Sequence, residues 1–158
     1  PVEVIPPKKY KNVIISSTNI RQSIAKGDIK LACSLLGRHY SLSGNVIEGE
    51  GLGKIIGYPT ANIDIENQIL PPNGVYAVKA KVNDEIFDGV LNIGFRPTFE
   101  RNRLQIETYL FDFERDIYGE YLEVYLIEKL RDEIEFPNQS CLVEQIKKDI
   151  KRAKNILS

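Results

Sequence analysis

The fold is decided by residues 75–82, VYAVKAKV, which are followed by Asn83-Asp84 and then by residues 86–93, IFDGVLNI. Apolar and polar residues alternate in the second half of the first run, and Asn-Asp between two such runs favours a tight hairpin turn. Similar short runs recur at residues 40–46, 104–111 and 121–127. Five or six short strands separated by turn residues predict a mainly β domain, built as an antiparallel barrel or sandwich.

Helices are predicted on both sides of this strand-rich region. Residues 16–18, Ser-Ser-Thr, offer N-caps for a short helix over residues 19–26. Asp28 can cap a second helix, which Gly37 would end. From Asn138 onward, apolar residues recur at spacings of three and four, which predicts a C-terminal helix capped by Asn138.

Charge and hydropathy exclude several classes of protein. The 158 residues carry 21 Lys and Arg against 22 Asp and Glu, so the net charge of −1 gives no long-range attraction to nucleic acid or to anionic membranes. No apolar run approaches the roughly 20 residues that span a bilayer. The basic run at residues 147–152 is predicted to be the solvated face of a helix. Cys33 and Cys141 are far apart in apolar surroundings, which predicts buried, unpaired thiols and a reducing, cytoplasmic location.

A glycine-rich segment interrupts the strand pattern. Gly49, Gly51, Gly53 and Gly57 fall within nine residues, with Lys54 among them. Glycines allow backbone amides to approach a ligand closely, as in loops around phosphates. The spacing matches neither the Walker A loop nor the dinucleotide fingerprint. A flexible hairpin tip is the alternative interpretation.

Three polar residues could complete a phosphoryl-transfer site. Thr60 and Asn62 place two neutral oxygen donors on one side of an extended segment, and Mg²⁺ prefers oxygen ligands. A structural turn would use the same residues. Glu107 lies in an apolar run that is predicted to be a strand; it either faces water or, if it faces a cleft, is placed to act as a general base.

Together these segments resemble the riboflavin kinase domain at the C-terminal end of bacterial bifunctional riboflavin kinase/FMN adenylyltransferases. The resemblance covers nearly the whole chain. It is carried by residues 15–21 (ISSTNIR), 36–40 (LGRHY), 57–62 (GYPTAN), 70–76 (LPPNGVY), 92–99 (NIGFRPTF), Glu107, 113–119 (FERDIYG) and 131–136 (RDEIEF). It implies a six-stranded antiparallel Greek-key barrel with short N-terminal helices and a C-terminal helix.

The resemblance also implies a reaction, in which riboflavin and ATP give FMN and ADP with Mg²⁺. Glu107 would be the base that activates the ribityl 5′-hydroxyl. Thr60 and Asn62 would hold the metal. The residues implied for ATP are Gly49, Gly51, Gly53, Lys54 and Asn62. The residues implied for the flavin are Asp116, Tyr118, Gly119, Arg131, Glu133 and Phe136.

The chain departs from the family pattern before and within the glycine loop. Many members have histidine where this chain has Glu48, and arginine is common where it has Lys54. Glu48 would add negative charge near the ATP phosphates, and a lysine is a point charge rather than a bidentate fork. The Glu48 charge predicts weaker nucleotide affinity unless its carboxylate points away.

The chain contains no methionine, so we expect it to be a piece of a longer protein. Residues 1–15 would then be a stub from an upstream adenylyltransferase domain, and residues 16–158 the kinase domain. This predicts no FAD synthesis from the fragment alone. Two other functions are the alternatives: a non-catalytic flavin- or nucleotide-binding barrel, and a nucleic-acid-binding barrel, which the charge disfavours.

Overall fold

A closed antiparallel barrel forms the centre of the computed structural model, which describes residues 3–96 and 103–158. The strands are β1 (Lys9–Tyr10), β2 (Val13–Ile14), β3 (Tyr40–Ile47), β4 (Ala61–Asp64), β5 (Gly74–Val82), β6 (Glu85–Arg96), β7 (Arg103–Leu110) and β8 (Tyr121–Arg131). The helices are α1 (Ser17–Ala25), α2 (Ile29–Leu36), α3 (Leu52–Ile55) and α4 (Gln139–Leu157).

Six of these strands close in the order β3-β4-β7-β6-β5-β8, and β8 pairs again with β3. Strands β5, β6 and β7 follow one another as neighbours, and β8 returns to lie beside β5. This order is a Greek key. The predicted mainly β, six-stranded Greek-key barrel with N-terminal helices and a C-terminal helix is therefore confirmed.

The predicted hairpin over residues 75–93 is β5–β6. Strand β5 pairs with β6 from Gly74 opposite Ile93 to Val82 opposite Glu85, and Asn83 turns the chain with a φ of 54°. The first half of β5 does not alternate because it is buried on both faces. Tyr76 and its alternate neighbours fill the barrel, while Val75 and Ala77 pack outward against the α4 side of the molecule.

The predicted helix caps are present. Asn19 N–H donates to Ser16 Oγ at 3.2 Å, and Leu31 N–H donates to Asp28 Oδ1 at 3.0 Å. Gly37 ends α2 with a φ of 71°, a backbone conformation that favours glycine. Asn138 Oδ1 accepts from Cys141 N–H at 3.0 Å at the start of α4.

Five features differ from the sequence predictions. Residues 61–64 form a barrel strand, β4, rather than only an extended segment, and residues 52–55 form one helical turn. Residues within the predicted stub form the small β1–β2 hairpin. The run at 147–152 is not wholly solvated, because Asp149 is buried. Cys33 and Cys141 are unpaired as predicted, but each is only half-buried.

Within residues 3–96 and 103–158, no helix is long and apolar enough to cross a membrane. The family-like segment at residues 92–99 ends outside the described residues, since the Pro97-Thr98-Phe99 part is not among them.

Candidate active site

The glycine-rich segment folds back onto the residues that follow it. A Cβ added to Gly49 would lie 2.1 Å from Asn62 Nδ2, and one added to Gly53 would lie 2.4 Å from the Tyr58 carbonyl oxygen and 3.2 Å from Thr60 Oγ1. Real Cβ atoms do not make contacts under 3.0 Å. At position 53 the clash is with backbone, so the loop needs glycine there, whereas a side chain at position 49 would have to displace the Asn62 amide. Both close approaches favour the ligand-loop interpretation over a free hairpin tip.

Glu107 lies in the middle of a row of polar side chains across three strands. It pairs with Asn62 on β4 and with Asn92 on β6. Directly opposed residues in an antiparallel sheet place their side chains on the same face. All three residues are half-buried, and they lie on the outer face of the barrel, because Ile106 and Thr108 on either side of Glu107 are buried inside it.

A first cavity of about 250 Å³ lies between this row and helix α4. It is lined by the polar residues Thr60, Asn92, Glu107, Arg131, Glu133 and Asp149, by Gly53, and by the apolar or aromatic residues Leu52, Ile56, Tyr58, Val75, Val90, Tyr109, Ile134, Phe136, Leu142 and Ile146. Such a mixture of a large apolar wall with a few convergent polar groups is typical of a site for a small organic ligand.

Tyr109 is an aromatic residue of the first cavity whose pKa is shifted by its surroundings. Its ring meets the ring of Tyr58 edge to face, with centroids 5.6 Å apart. Burial, with smaller contributions from Tyr58 and Asp112, raises the pKa of Tyr109 above its usual value. The shift does not change the charge of the hydroxyl at physiological pH, because a tyrosine at its usual pKa of about 10 is already neutral there.

Arg131 is held at the edge of the first cavity by helix α4. Its Nε donates to both Asp149 oxygens, at 3.1 and 2.9 Å, and its Nη2 lies 2.8 Å from Asp149 Oδ2. Gln145 adds a hydrogen bond to Asp149 at 2.9 Å. The Arg131 guanidinium also lies over the Phe136 ring, 5.8 Å from its centroid. Arg131 thus ties together strand β8, helix α4 and an aromatic wall of the cavity.

A second cavity of about 370 Å³ opens at the end of the barrel. Its charged lining is Lys54, Glu114, Arg115 and Asp116, and the remaining lining is Val46, Pro59, Thr60, Ala61, Thr108, Leu110, Phe113, Ile117 and Tyr118. Arg115 is fixed by an ion pair with Glu85 and lies over the rings of Phe87 and Phe113, at 5.3 and 5.0 Å. Thr60 lines both cavities, so it marks the place where they meet.

The structure separates the residues that the sequence groups as flavin-binding. Arg131, Glu133 and Phe136 line the first cavity together with Glu107. Asp116 and Tyr118 line the second cavity with Lys54. Gly119 lies beside that loop, where its N–H donates to the Val46 carbonyl oxygen at 2.8 Å.

The predicted nucleotide residues divide between the cavities as well. Gly53 lines the first cavity, Lys54 lines the second, and Asn62 supports the loop through its contact with Gly49. Gly51 is the N-cap residue before α3 and has a φ of 71°. Glu48 is exposed and is not among the lining residues of either cavity.

Sequence reasoning missed several lining residues. Asp149 could have been found, because it shares a helical face with Leu142, Ile146 and Ala153 and so cannot be wholly solvated. Asn92 becomes informative only once the register places it opposite Glu107. No sequence pattern indicates that Arg115 and Thr108 line a cavity, because their position in the site depends on which loop closes the barrel end.

The residues near Thr60 fit a hard cation that takes few ligands from protein. In the described part of the chain, no group of three or more His, Cys, Asp or Glu side chains could hold a metal ion. Magnesium commonly keeps several waters and phosphate oxygens and takes only one or two protein ligands. The oxygens of Thr60 and Asn62, both lying against the glycine loop, are donors of that kind.

Comparison with known proteins gives the class of this barrel and site. Residues 36–157 match the family model described as Flavokinase: Riboflavin kinase, so the chain belongs to the riboflavin kinase family. A relative from Haemophilus influenzae, named bifunctional riboflavin kinase/FMN adenylyltransferase, is 48% identical over 141 residues, which are 89% of this chain and 46% of the relative. The chain thus spans about half the length of the curated relatives it matches.

Two solved structures share the fold. A crystal structure from Streptococcus pneumoniae, described as a macrolide-efflux protein, superposes with a TM-score of 0.89 at 36% identity and covers 96% of this chain and 50% of that one. A riboflavin kinase from Trypanosoma brucei has a TM-score of 0.54 at 24% identity and covers 74% of this chain and 78% of that one. The second likeness bears on the fold alone, while the family model and the bifunctional relative both name riboflavin kinase.

Proposed function

We propose that this domain transfers the γ-phosphoryl group of ATP to the ribityl 5′-hydroxyl of riboflavin, giving FMN and ADP. The observation that carries the proposal is that Thr60 lines two cavities of different chemistry, with Glu107 in one and Lys54 in the other. A phosphoryl transferase needs its acceptor hydroxyl beside a base, and its phosphates beside cationic and amide groups, with the two meeting at one point.

Riboflavin suits the first cavity. Its flat ring system matches the wall formed by residues such as Tyr109 and Phe136, and a bound ring there would leave the ribityl chain free to reach Glu107 and Thr60. ATP suits the second cavity, where Lys54 is available for its phosphates. In this arrangement Asp116, Tyr118 and the neighbouring Gly119 belong to the nucleotide site, and not to the flavin site that the sequence resemblance implies.

In the reaction, the Glu107 carboxylate accepts the proton of the ribityl 5′-hydroxyl. The oxygen then forms a bond to the γ-phosphorus as the bond to the β,γ-bridging oxygen breaks, and ADP leaves with that electron pair. Amides of the glycine loop and Lys54 offset charge on the transferred group. Thr60 and Asn62 would hold Mg²⁺, which when bound neutralises charge on the phosphates.

The longer relatives support a proposal about the whole protein. We propose that residues 16–158 form the kinase domain and that residues 1–15 join it to an adenylyltransferase domain of the kind named in the relatives. The kinase domain alone then makes FMN and no FAD, and a cytoplasmic location would suit both of its substrates.

The test is to incubate the chain with riboflavin, ATP and Mg²⁺ and to separate the products by chromatography. We expect FMN and ADP in equal amounts, and no FAD when FMN replaces riboflavin. A second incubation without riboflavin is the control for simple ATP hydrolysis. A non-catalytic flavin- or nucleotide-binding barrel would bind one or both substrates and release no ADP.

A further inference from the structure

A buried hydroxyl at the inner end of the second cavity has no hydrogen-bond partner in the part of the chain that the structure describes. Thr108 is 0% exposed, and its Oγ1 has no hydrogen-bond partner among the described residues. It lies on β7 between Ile106 and Leu110, which are both in the barrel core. Its cross-strand neighbours, Ala61 and Leu91, have apolar side chains.

The unpaired Thr108 hydroxyl lowers the stability of the folded protein. Leaving a buried polar group unpaired costs about 1–3 kcal/mol, and a valine has nearly the same shape without that cost. Thr108 nevertheless lines the second cavity, where the other core residues on the wall are Val46, Leu110 and Ile117. A ligand that enters this cavity and brings a polar edge would give the hydroxyl its missing partner, since a hydroxyl can both donate and accept.

The chemistry of the cavity selects the part of the nucleotide that reaches Thr108. Phosphates carry charge and belong with Lys54, which is exposed, and with Thr60, where the two cavities meet. The uncharged purine is the part that suits apolar walls, and its edge carries hydrogen-bonding nitrogens. Resting on the proposed function, we propose that the Thr108 hydroxyl binds the base of the nucleotide and sets the depth at which ATP enters the barrel end.

The test compares Thr108→Val with Thr108→Ser by calorimetric titration, with ADP and inorganic tripolyphosphate, each with Mg²⁺, as probes. We expect Thr108→Val to weaken ADP binding by about tenfold, the loss of one hydrogen bond that leaves a buried group unpaired. Thr108→Ser keeps the hydroxyl and should stay within about threefold of the parent chain. Binding of tripolyphosphate, which lacks a base, should not change in either variant.

Thermal unfolding without ligand provides a second readout. Thr108→Val should be at least as stable as the parent chain, because a methyl group replaces an unpaired buried hydroxyl. A clear loss of stability would mean that the hydroxyl has a structural partner, and it would overturn the proposal.

Two binding results would also overturn the proposal that Thr108 binds the nucleotide base. One is an unchanged ADP affinity in Thr108→Val, and the other is an equal loss of affinity for ADP and for tripolyphosphate. Failure of the proposed function looks different, because the parent chain would then form no FMN whatever the ADP affinities show.

Discussion

Breaking the Arg131–Asp149 pair is the perturbation whose size follows most directly from the structure. The pair joins β8 to α4 through three contacts of 2.8 to 3.1 Å, and its side chains are only 17% and 8% exposed. Asp149→Asn removes the negative charge and leaves the Arg131 cation desolvated. We expect the free energy of unfolding to fall by about 3 kcal/mol, the lower end of the range for a buried pair that loses one partner, since the amide oxygen still accepts a hydrogen bond.

The matched control is an ion pair of the same length on the surface. Lys30 Nζ lies 2.7 Å from Glu128 Oε2, but the two side chains are 75% and 29% exposed. Glu128→Gln should therefore cost less than about 1 kcal/mol. Urea unfolding followed by circular dichroism gives both values, and equal losses in the two variants would refute the argument from burial.

A double variant separates the pair from the packing around it. Replacing both partners by apolar residues, Arg131→Met with Asp149→Leu, removes both buried charges at once. Stability should then recover to within about 1 kcal/mol of the parent chain, because the desolvation cost disappears together with the attraction. A double variant that is less stable than Asp149→Asn alone would show that the pair itself stabilises the fold.

Three further predictions concern other parts of the molecule. Burial, with a smaller contribution from Asp132, raises the pKa of Tyr76 to about 12. The stability that depends on its neutral hydroxyl is therefore complete below pH 10 and is lost as the pH rises toward 12. Tyr76→Phe should remove this alkaline loss of stability, which amounts to about 2–3 kcal/mol. Urea unfolding from pH 8 to 11 measures the free energy of unfolding, which is then extrapolated toward pH 12. The same dependence on pH in the variant and the parent chain would contradict the prediction. Gly49→Ala should displace the flexible Asn62 side chain and lower FMN formation about tenfold or more with little change in melting temperature, whereas parent-like turnover would show that the loop contact is dispensable. Asn138→Ala should cost about 1 kcal/mol in thermal unfolding through loss of the α4 cap, and no loss would mean that the cap adds nothing.

The barrel could be predicted because its signals are local. The β5–β6 hairpin has a two-residue turn and regular pairing, and the three long helices begin at side-chain caps that the sequence displays. Strand β4 could not be predicted in the same way. Its four residues, Ala61–Asp64, are recognisable as a strand only through their pairing with β3 and β7.

The candidate site was predictable in its parts more than in its arrangement. Thr60, Asn62 and Glu107 do come together around the glycine loop. The sequence could not show that Asp116 and Arg131 line different cavities, because that depends on how the loop after β7 and helix α4 cover opposite sides of Thr60. The lysines around Asp149 predict that it is solvated, although its helical face is buried.

Glu107→Gln tests most directly our proposal that Glu107 is the base for phosphoryl transfer to riboflavin. The measurement is the rate of FMN formation at saturating ATP and riboflavin, with the affinities for both substrates measured in parallel. We expect turnover to fall by about a hundredfold or more, within the range of a general base, while both affinities stay close to those of the parent chain. Turnover near that of the parent chain would contradict it.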